Sequence, residues 1–436
     1  MSPFEIGLLA LAAMGLLVLI GLYVPIAMIL CSFIGVWAIK GNPELAAKML
    51  GLAANDVISS YFFGVVPLFV LMGFLVAETG MGRDAFDVAN AMFRRIKGGL
   101  GVGTIGANAI FAAITGISIA SAAVFTKIAV PELNRHGYGK RFSVGVVAGS
   151  SVLGMLIPPS LLLILFGLLA EQSIGDLFIA GIGPGILLAF LFGLGTILLA
   201  YLCPGFVGQN LGQNTTPMSA PQVISKGLPI AALIGLVLGG IYTGWITPVE
   251  AGAVGTIGAM IIGLLKRRLT LAIFWKVLVE TGLVTAAVCF LIIAAQMYSR
   301  MLAFSGLPGQ FGQLVASVDL AVIQLMFLYC LVVILFGMIL DSSSIMLIMV
   351  PLMLPVVTQM NVDLIWFGIA TVIAVEIGLL TPPFGISVYV IKSTIDNPDV
   401  SLKDIFIGAA PFAFMMLICL CIVIAYPPIV TGLLGR

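Results

Sequence analysis

The chain has 436 residues, 61% of them hydrophobic and only 8% charged, with a net charge of +1 at pH 7. Soluble globular proteins carry about 25% charge, so there is too little here to clothe a water-facing surface, and lipid must surround most of the molecule. A net charge this close to zero gives no polyanion-binding face, so nucleic acid is not an expected partner.

The apolar residues fall in long runs, among them 6–22, 177–202 and 404–426. Transmembrane barrels instead alternate apolar and polar residues over short segments. Long runs satisfy their backbone hydrogen bonds in lipid only as helices, so the predicted fold class is an all-α polytopic membrane protein. No basic stretch precedes the first run, which is expected to be a retained helix and not a cleaved signal peptide. Cys31, Cys203, Cys289, Cys330, Cys419 and Cys421 are scattered, mostly in apolar stretches. That pattern suits small buried hydrophobes better than disulfides or a metal site.

Along the chain, Arg83, Arg94, Arg95 and Lys97 form a first basic group, at an expected arm helix of about 83–97. Arg135, Lys140 and Arg141 form a second, and Lys266, Arg267 and Arg268, with Lys276 close behind, a third. The positive-inside rule places all three in the cytoplasm, so residues 98–133 leave from and return to one side. Their middle, Ala113-Ile-Thr-Gly-Ile-Ser-Ile-Ala-Ser121, carries no charge and no loop-like polar stretch. It reads as the tip of a re-entrant hairpin, because non-helical backbone at membrane depth is tolerated only beside a polar cavity. A broken helix is expected at about 142–170, then a polar cytoplasmic linker at 204–227, rich in Gly, Gln, Asn and Thr. The second half is expected to hold an arm helix at about 269–277, a hairpin at about 320–357 and a broken helix at about 364–391. Both termini then lie on the periplasmic side, and of 19 basic residues only Lys40, Lys48, Arg300 and Arg436 join them.

The halves, 1–203 and 228–436, read as repeats. Gly154-Met-Leu-Ile-Pro-Pro159 matches Gly378-Leu-Leu-Thr-Pro-Pro383 at a shift of 224, which also places Ser118 on Ser342 and Pro131 on Pro355. A shift of 223 places Pro25 on Pro248 and Gly35 on Gly258. The charge pattern sends the first double-proline helix outward and the second inward, so the repeats are inverted. Inverted repeats with interrupted helices point to alternating-access carriers with sites near the midplane.

Two adjacent prolines remove two backbone donors and clash with the preceding turn, and the residue before each is pushed out of the α region. The carbonyls and half-helix ends so exposed can hold a cation or a carboxylate; the other reading is a kink that only shapes packing, which duplication of the motif disfavours. The hairpin tips hold Thr115, Gly116, Ser118 and Ser121 in the first half and Asp341, Ser342, Ser343 and Ser344 in the second. A hydroxyl in lipid either bonds back to its own helix or faces a ligand, and the sequence leaves both open. Asp341 and Glu376 are costly at membrane depth unless paired or facing a cavity. Each is either a protonatable or cation-neutralising group or a hydrogen-bonding partner of the opposite hairpin.

Gly-x-x-x-x-Gly-Lys-Ser/Thr, His-Glu-x-x-His, Gly-x-Ser-x-Gly and Thr-Val-Gly-Tyr-Gly do not occur. ATP hydrolysis, zinc or serine hydrolase chemistry and a potassium filter therefore lack their parts, and the protein is not expected to be an enzyme. An ion gradient is the expected drive.

The stretches Gly149-Ser-Ser-Val-Leu-Gly-Met-Leu-Ile-Pro-Pro-Ser160, Phe336-Gly-Met-Ile-Leu-Asp-Ser-Ser-Ser-Ile-Met346 and Glu376-Ile-Gly-Leu-Leu-Thr-Pro-Pro-Phe-Gly385 resemble the large membrane subunit of tripartite ATP-independent periplasmic (TRAP) transporters, the DctM family. The resemblance runs from about residue 5 to the C-terminus. It implies an elevator-type carrier of the bacterial inner membrane, driven by two or more Na+ ions. It further implies a four-helix small membrane subunit, expected here as a separate chain, and an extracytoplasmic substrate-binding protein that delivers an organic acid such as a C4-dicarboxylate, sialic acid or sugar acid. Matched by motif, Thr115, Gly116, Ser118 and the Gly154 region would hold one Na+, and Asp341, Ser342, Ser343, Gly378 and Thr381 another. Substrate would lie near Ser121, Ser160, Ser344 and Thr381. A self-sufficient Na+/dicarboxylate symporter and a non-transporting membrane scaffold are the alternatives.

Overall fold

The computed structural model describes residues 1–93, 95–208, 218–317, 320–395, 397 and 399–435, and among them every regular element is a helix. Arg94, Arg436 and residues 209–217 of the expected linker lie outside the described residues. Eight candidate spans are long and apolar enough to cross a bilayer, and several shorter apolar helices accompany them.

The first half runs α1 (Pro3–Leu19), α2 (Val24–Lys40), α3 (Pro43–Ser59), α4 (Val65–Glu78), α5 (Met81–Phe93), α6 (Gly99–Thr115), α7 (Ser118–Arg135), α8 (Lys140–Ser151), α9 (Leu153–Leu156), α10 (Leu161–Ala170), α11 (Ile174–Leu202) and α12 (Pro204–Val207). The second runs α13 (Ala220–Tyr242), α14 (Pro248–Leu265), α15 (Leu271–Ser305), α16 (Leu307–Ser317), α17 (Val322–Gly337), α18 (Ser342–Gln359), α19 (Leu364–Leu380), α20 (Ile386–Thr394), α21 (Leu402–Ala425) and α22 (Pro428–Thr431). Local chemistry marks many starts. Asn42 accepts from Glu44 N and caps α3, and Thr247 and Glu250 cap α14 reciprocally.

The two hairpins are α6–α7 and α17–α18, and the two broken helices are α8–α10 and α19–α20, in the same order in each half. The arms differ from expectation. The first ends at Phe93, and the chain turns into α6 through left-handed Gly98. The second is not a separate element: residues 271–277 are the first turns of α15, a single 35-residue helix. No proline interrupts α15 between Leu271 and Ser305, and straight-chain and apolar residues carry the helix through. The linker is shorter than expected, because α13 already begins at Ala220, where Ser219 N–H donates to Gln222 Oε1 at 3.1 Å.

Packing sorts the helices into two clusters. In one, α2, α3 and α4 gather on α15, with α14 against α4 and α13 against α14. In the other, α8 packs on α7 and α21, α19 on α17 and α21, and α11 on α6 and α21. Every residue of α19 from Ile365 to Leu380 is buried, as suits a helix apolar all round. The clusters meet where α18 lies on α15 and α16, and α4 on α6. Smaller contacts join α4 to α7 and α10, α15 to α10, and α13 to α6 and α11. A cavity of about 750 Å³ separates the α10–α11 turn from α3, α14 and α15, and a second of about 300 Å³ lies between α10, α15 and α18.

Ion pairs mark the two ends of the molecule. At one end Asp84 of α5 takes Lys266 at 2.7 Å and Arg268 at 2.8 Å, Glu78 takes Lys276 at 2.8 Å, and Asp87 pairs with Lys226. At the other, Arg300 binds Asp56 at 2.6 Å. Lys276 and Arg300 lie about 36 Å apart along α15 at 1.5 Å rise per residue, more than a hydrocarbon core.

Candidate functional site

Each hairpin turns inside the second cluster, and each turn is clipped to the broken helix of its own half. In the first tip α6 stops at Gly116, whose left-handed backbone (φ 65°) lets the chain reverse within two residues. Gly116 O accepts from Leu161 N at 3.1 Å, directly after the Pro158–Pro159 break. A Cβ on Gly116 would lie 2.3 Å from Pro159 O, and one on Gly154 would lie 3.1 Å from Ile117 C and Ser118 N. Only glycines admit this tip-to-break contact. In the second half the break donates to the tip in the same sense, Phe384 N to Met338 O at 3.1 Å.

The breaks form as the proline argument requires. After Leu156 the backbone at Ile157 is extended, Pro158–Pro159 is cis, and Ser160 restarts α10. After Leu380 the backbone at Thr381 is extended, Pro382–Pro383 is cis, and left-handed Gly385 precedes α20.

The expected site residues divide by what their polar atoms do. Thr115 Oγ1 donates to Phe111 O at 2.9 Å and Thr381 Oγ1 to Ile377 O at 2.6 Å, so both bond back to their own helices. Ser160 is the N-cap of α10: its Oγ donates to Met155 O and accepts from Leu163 N at 3.3 Å. Ser121 Oγ meets Asn108 Oδ1 at 2.7 Å, and Asn108 Nδ2 meets Ser150 Oγ at 2.7 Å. Asn108 and Ser150 are the site residues that sequence reading missed. Their signal was there, since Asn108 is a lone amide in an apolar helix and such a group needs a partner.

Asp341 is half-buried and caps α18. Its Oδ2 accepts from Ser343 N and Ser344 N, each at 3.1 Å, and its Oδ1 accepts from Ser344 Oγ. These bonds are all local to α18; among the described residues Asp341 makes no hydrogen bond to the opposite hairpin, which was one of the two readings left open for it. Gly378 lets α19 cross α17 closely, a Cβ there lying 2.5 Å from the Gly337 Cα.

Two buried oxygens near the tips are left without partners, Ser118 Oγ and Glu376 Oε2. Glu376 Oε1 accepts from Ser342 Oγ at 3.4 Å, and Ser118 lies beside the same carboxylate. Glu376 is thus the group that reaches both hairpins. A buried carboxylate oxygen and hydroxyl left without partners suit a hard cation that takes oxygen ligands. Among the described residues no cluster of three or more His, Cys, Asp or Glu side chains is present to hold a transition metal.

Residues 8–429 match the family described as the DctM component of the tripartite ATP-independent periplasmic transporters. The chain is 30% identical to the C4-dicarboxylate TRAP transporter large permease protein DctM of Pseudomonas aeruginosa, over 88% of each chain. It is 29% identical to the sialic acid TRAP transporter large permease protein SiaM of Vibrio cholerae, over 88% of this chain and 87% of that one. To the ectoine TRAP transporter large permease protein TeaC of Halomonas elongata it is 26% identical, over 95% of each. In fold it resembles the Alcanivorax borkumensis YdaH transporter, with a TM-score of 0.62 at 14% identity over 87% of this chain and 88% of that one. It also resembles Neisseria gonorrhoeae MtrF, with a TM-score of 0.60 at 12% identity over 86% and 84%. The apolar spans, the paired hairpins and breaks, and a match over nearly the whole length agree: this polytopic membrane protein belongs to the DctM family, the large permease component of TRAP transporters.

Proposed function

We propose that this chain carries an organic acid inward across the bacterial inner membrane, coupled to Na+ that binds at the two hairpin tips. The observation that carries the reading is the convergence of both tips on buried oxygens with no partner, Ser118 Oγ and Glu376 Oε2. A cation there would be met by oxygen ligands only. Thr115, Gly116, Ser118 and Gly154 would hold one Na+, and Asp341, Ser342, Ser343, Gly378 and Thr381 the other; carbonyls at the breaks complete each set. Substrate would lie between them, near Ser121, Ser160, Ser344 and Thr381. Each net inward charge gains about 2.3 kcal/mol per 100 mV, so the membrane potential adds to the Na+ gradient when the ions outnumber the charges of the acid.

The movement is an elevator. The cluster holding hairpins and breaks slides against the cluster built on α15, and the two cavities between them support this, since unpacked surface offers little resistance to sliding. In this orientation the ion-pair belt of Asp84, Lys266 and Arg268 faces the cytoplasm, and both termini lie outside. A four-helix small subunit as a separate chain and an extracytoplasmic binding protein complete the assembly. Relatives exist as a fused permease, the isethionate TRAP transporter permease protein DctMQ of Oleidesulfovibrio alaskensis among them. The test is uptake into proteoliposomes under an inward Na+ gradient, with and without the binding protein. Uptake that needs both supports the proposal. Uptake without the binding protein favours the self-sufficient symporter, and Na+-independent uptake refutes the coupling.

A further inference from the structure

We infer that Glu376 couples the two hairpin tips: its carboxylate is the common acceptor for the hydroxyls of Ser118 and Ser342, so that a cation entering one tip prepares the other. The inference rests on the proposed Na+ sites.

Ser118 and Ser342 stand 224 residues apart, the shift that relates the two repeats. Each is the first residue of the second helix of its hairpin. A side chain beside both therefore sits where the repeats meet. Glu376 occupies that place, with Ser342 Oγ donating to Oε1 at 3.4 Å and Ser118 Oγ beside the same carboxylate. Ser118, Ser342 and Glu376 are 0%, 5% and 1% exposed, so the cluster is shielded from bulk solvent. The repeat-equivalent of Glu376 is Val152. One carboxylate thus serves two tips.

The chemistry follows from the hydroxyl group. A serine that turns its lone pairs to a cation must aim its hydrogen elsewhere, and in a buried site that hydrogen needs an acceptor. Glu376 offers two, of which Oε1 is weakly engaged and Oε2 is vacant. When a cation orients one serine, its hydrogen bond fixes the carboxylate, and the other oxygen is then held in place for the second serine. That is a coupling free energy between sites carried by one side chain. Glu376 is a positioning residue in this account, acting on the ions through the two serines.

The test is thermal unfolding of the purified full chain across a NaCl series, with choline chloride holding ionic strength constant. Wild type is expected to be stabilised sigmoidally, with a Hill coefficient above 1. Glu376→Gln offers one acceptor oxygen where there were two, and its amide cannot take the second hydrogen. It is expected to keep the wild-type melting temperature in choline, to lose the sigmoid, and to need about tenfold more Na+ for half-stabilisation, the scale of one charge-assisted hydrogen bond. Adding Ser118→Ala to Glu376→Gln is expected to weaken Na+ binding by less than the sum of the two single effects. A Glu376→Gln protein with wild-type cooperativity and half-saturation overturns the inference and leaves the Na+ proposal standing. Wild type indifferent to Na+ overturns both. If Glu376→Gln does not fold, Ser118→Ala alone decides, because wild-type cooperativity in that variant also overturns the inference.

Discussion

Asp341 caps α18, and substitutions can separate that structural duty from the ionic one proposed for it. It caps α18 through Ser343 N and Ser344 N, and a carboxylate at a helix N-terminus is favoured by the dipole as well. Asn caps a helix about as well as Asp, whereas Ala does not, at a cost of about 1 kcal/mol. Asp341→Asn is therefore expected to keep the melting temperature measured without Na+ and to bind Na+ more weakly. Asp341→Ala is expected to lose on both counts. Should Asp341→Asn match wild type in Na+-dependent unfolding, the carboxylate is a cap and nothing more. The hydroxyls of Thr115, Ser160 and Thr381 illustrate the opposite limit, because each is already engaged within its own break or helix. In the proposed sites these residues would offer their backbone carbonyls, or their hydroxyls would turn away from these bonds.

At the scale of elements, the first arm helix is tied to the second half by one buried acid. Asp84 of α5 is almost fully buried between Lys266 and Arg268, which lead from α14 into α15. Burial alone would raise its pKa, but the hydrogen bonds and charges of the two cations outweigh that and hold it below the ordinary 3.8. Because the folded pKa is depressed, the stabilisation is complete above 3.8 and is lost as pH falls through the folded value. Asp84→Asn is expected to cost about 2 kcal/mol in thermal unfolding at pH 7, below the range for fully buried pairs because Arg268 is 40% exposed. It should also flatten the loss of stability that wild type shows below pH 3.8. An unchanged melting temperature would mean that the α5 tie contributes nothing.

At the scale of the whole molecule the sliding movement is directly testable. Leu169 of α10 and Gln296 of α15 line the same cavity from opposite clusters. Cysteines at both positions, bridged by a cleavable bifunctional maleimide, are expected to stop uptake, and cleavage is expected to restore it; neither single variant should respond. Uptake that continues while bridged would rule out relative motion of the clusters. Orientation has its own measurement. Alkaline phosphatase fused after the last residue is expected to be active and GFP in the same place dark, and the reverse pattern would invert the topology.

Much of this architecture was legible in the chain, because a bilayer leaves helices as the only economical way to close the backbone, and 61% hydrophobic residues in unbroken runs leave little choice of class. The doubled Gly-x-x-x-Pro-Pro located both breaks, since the missing donors of proline are a local property that no packing can restore. Arm and linker boundaries were less legible, because helix propensity alone does not say where a span begins, and α15 simply continues through the expected arm. What required tertiary structure was the pairing of distant polar atoms. Asn108 with Ser121, Asp84 with Lys266, and Glu376 with both hairpin tips are contacts between residues 13 to 258 positions apart. Sequence could mark these groups as expensive in lipid, but only the folded chain decides which neighbour meets the cost, because a side chain's partner is set by where whole helices cross.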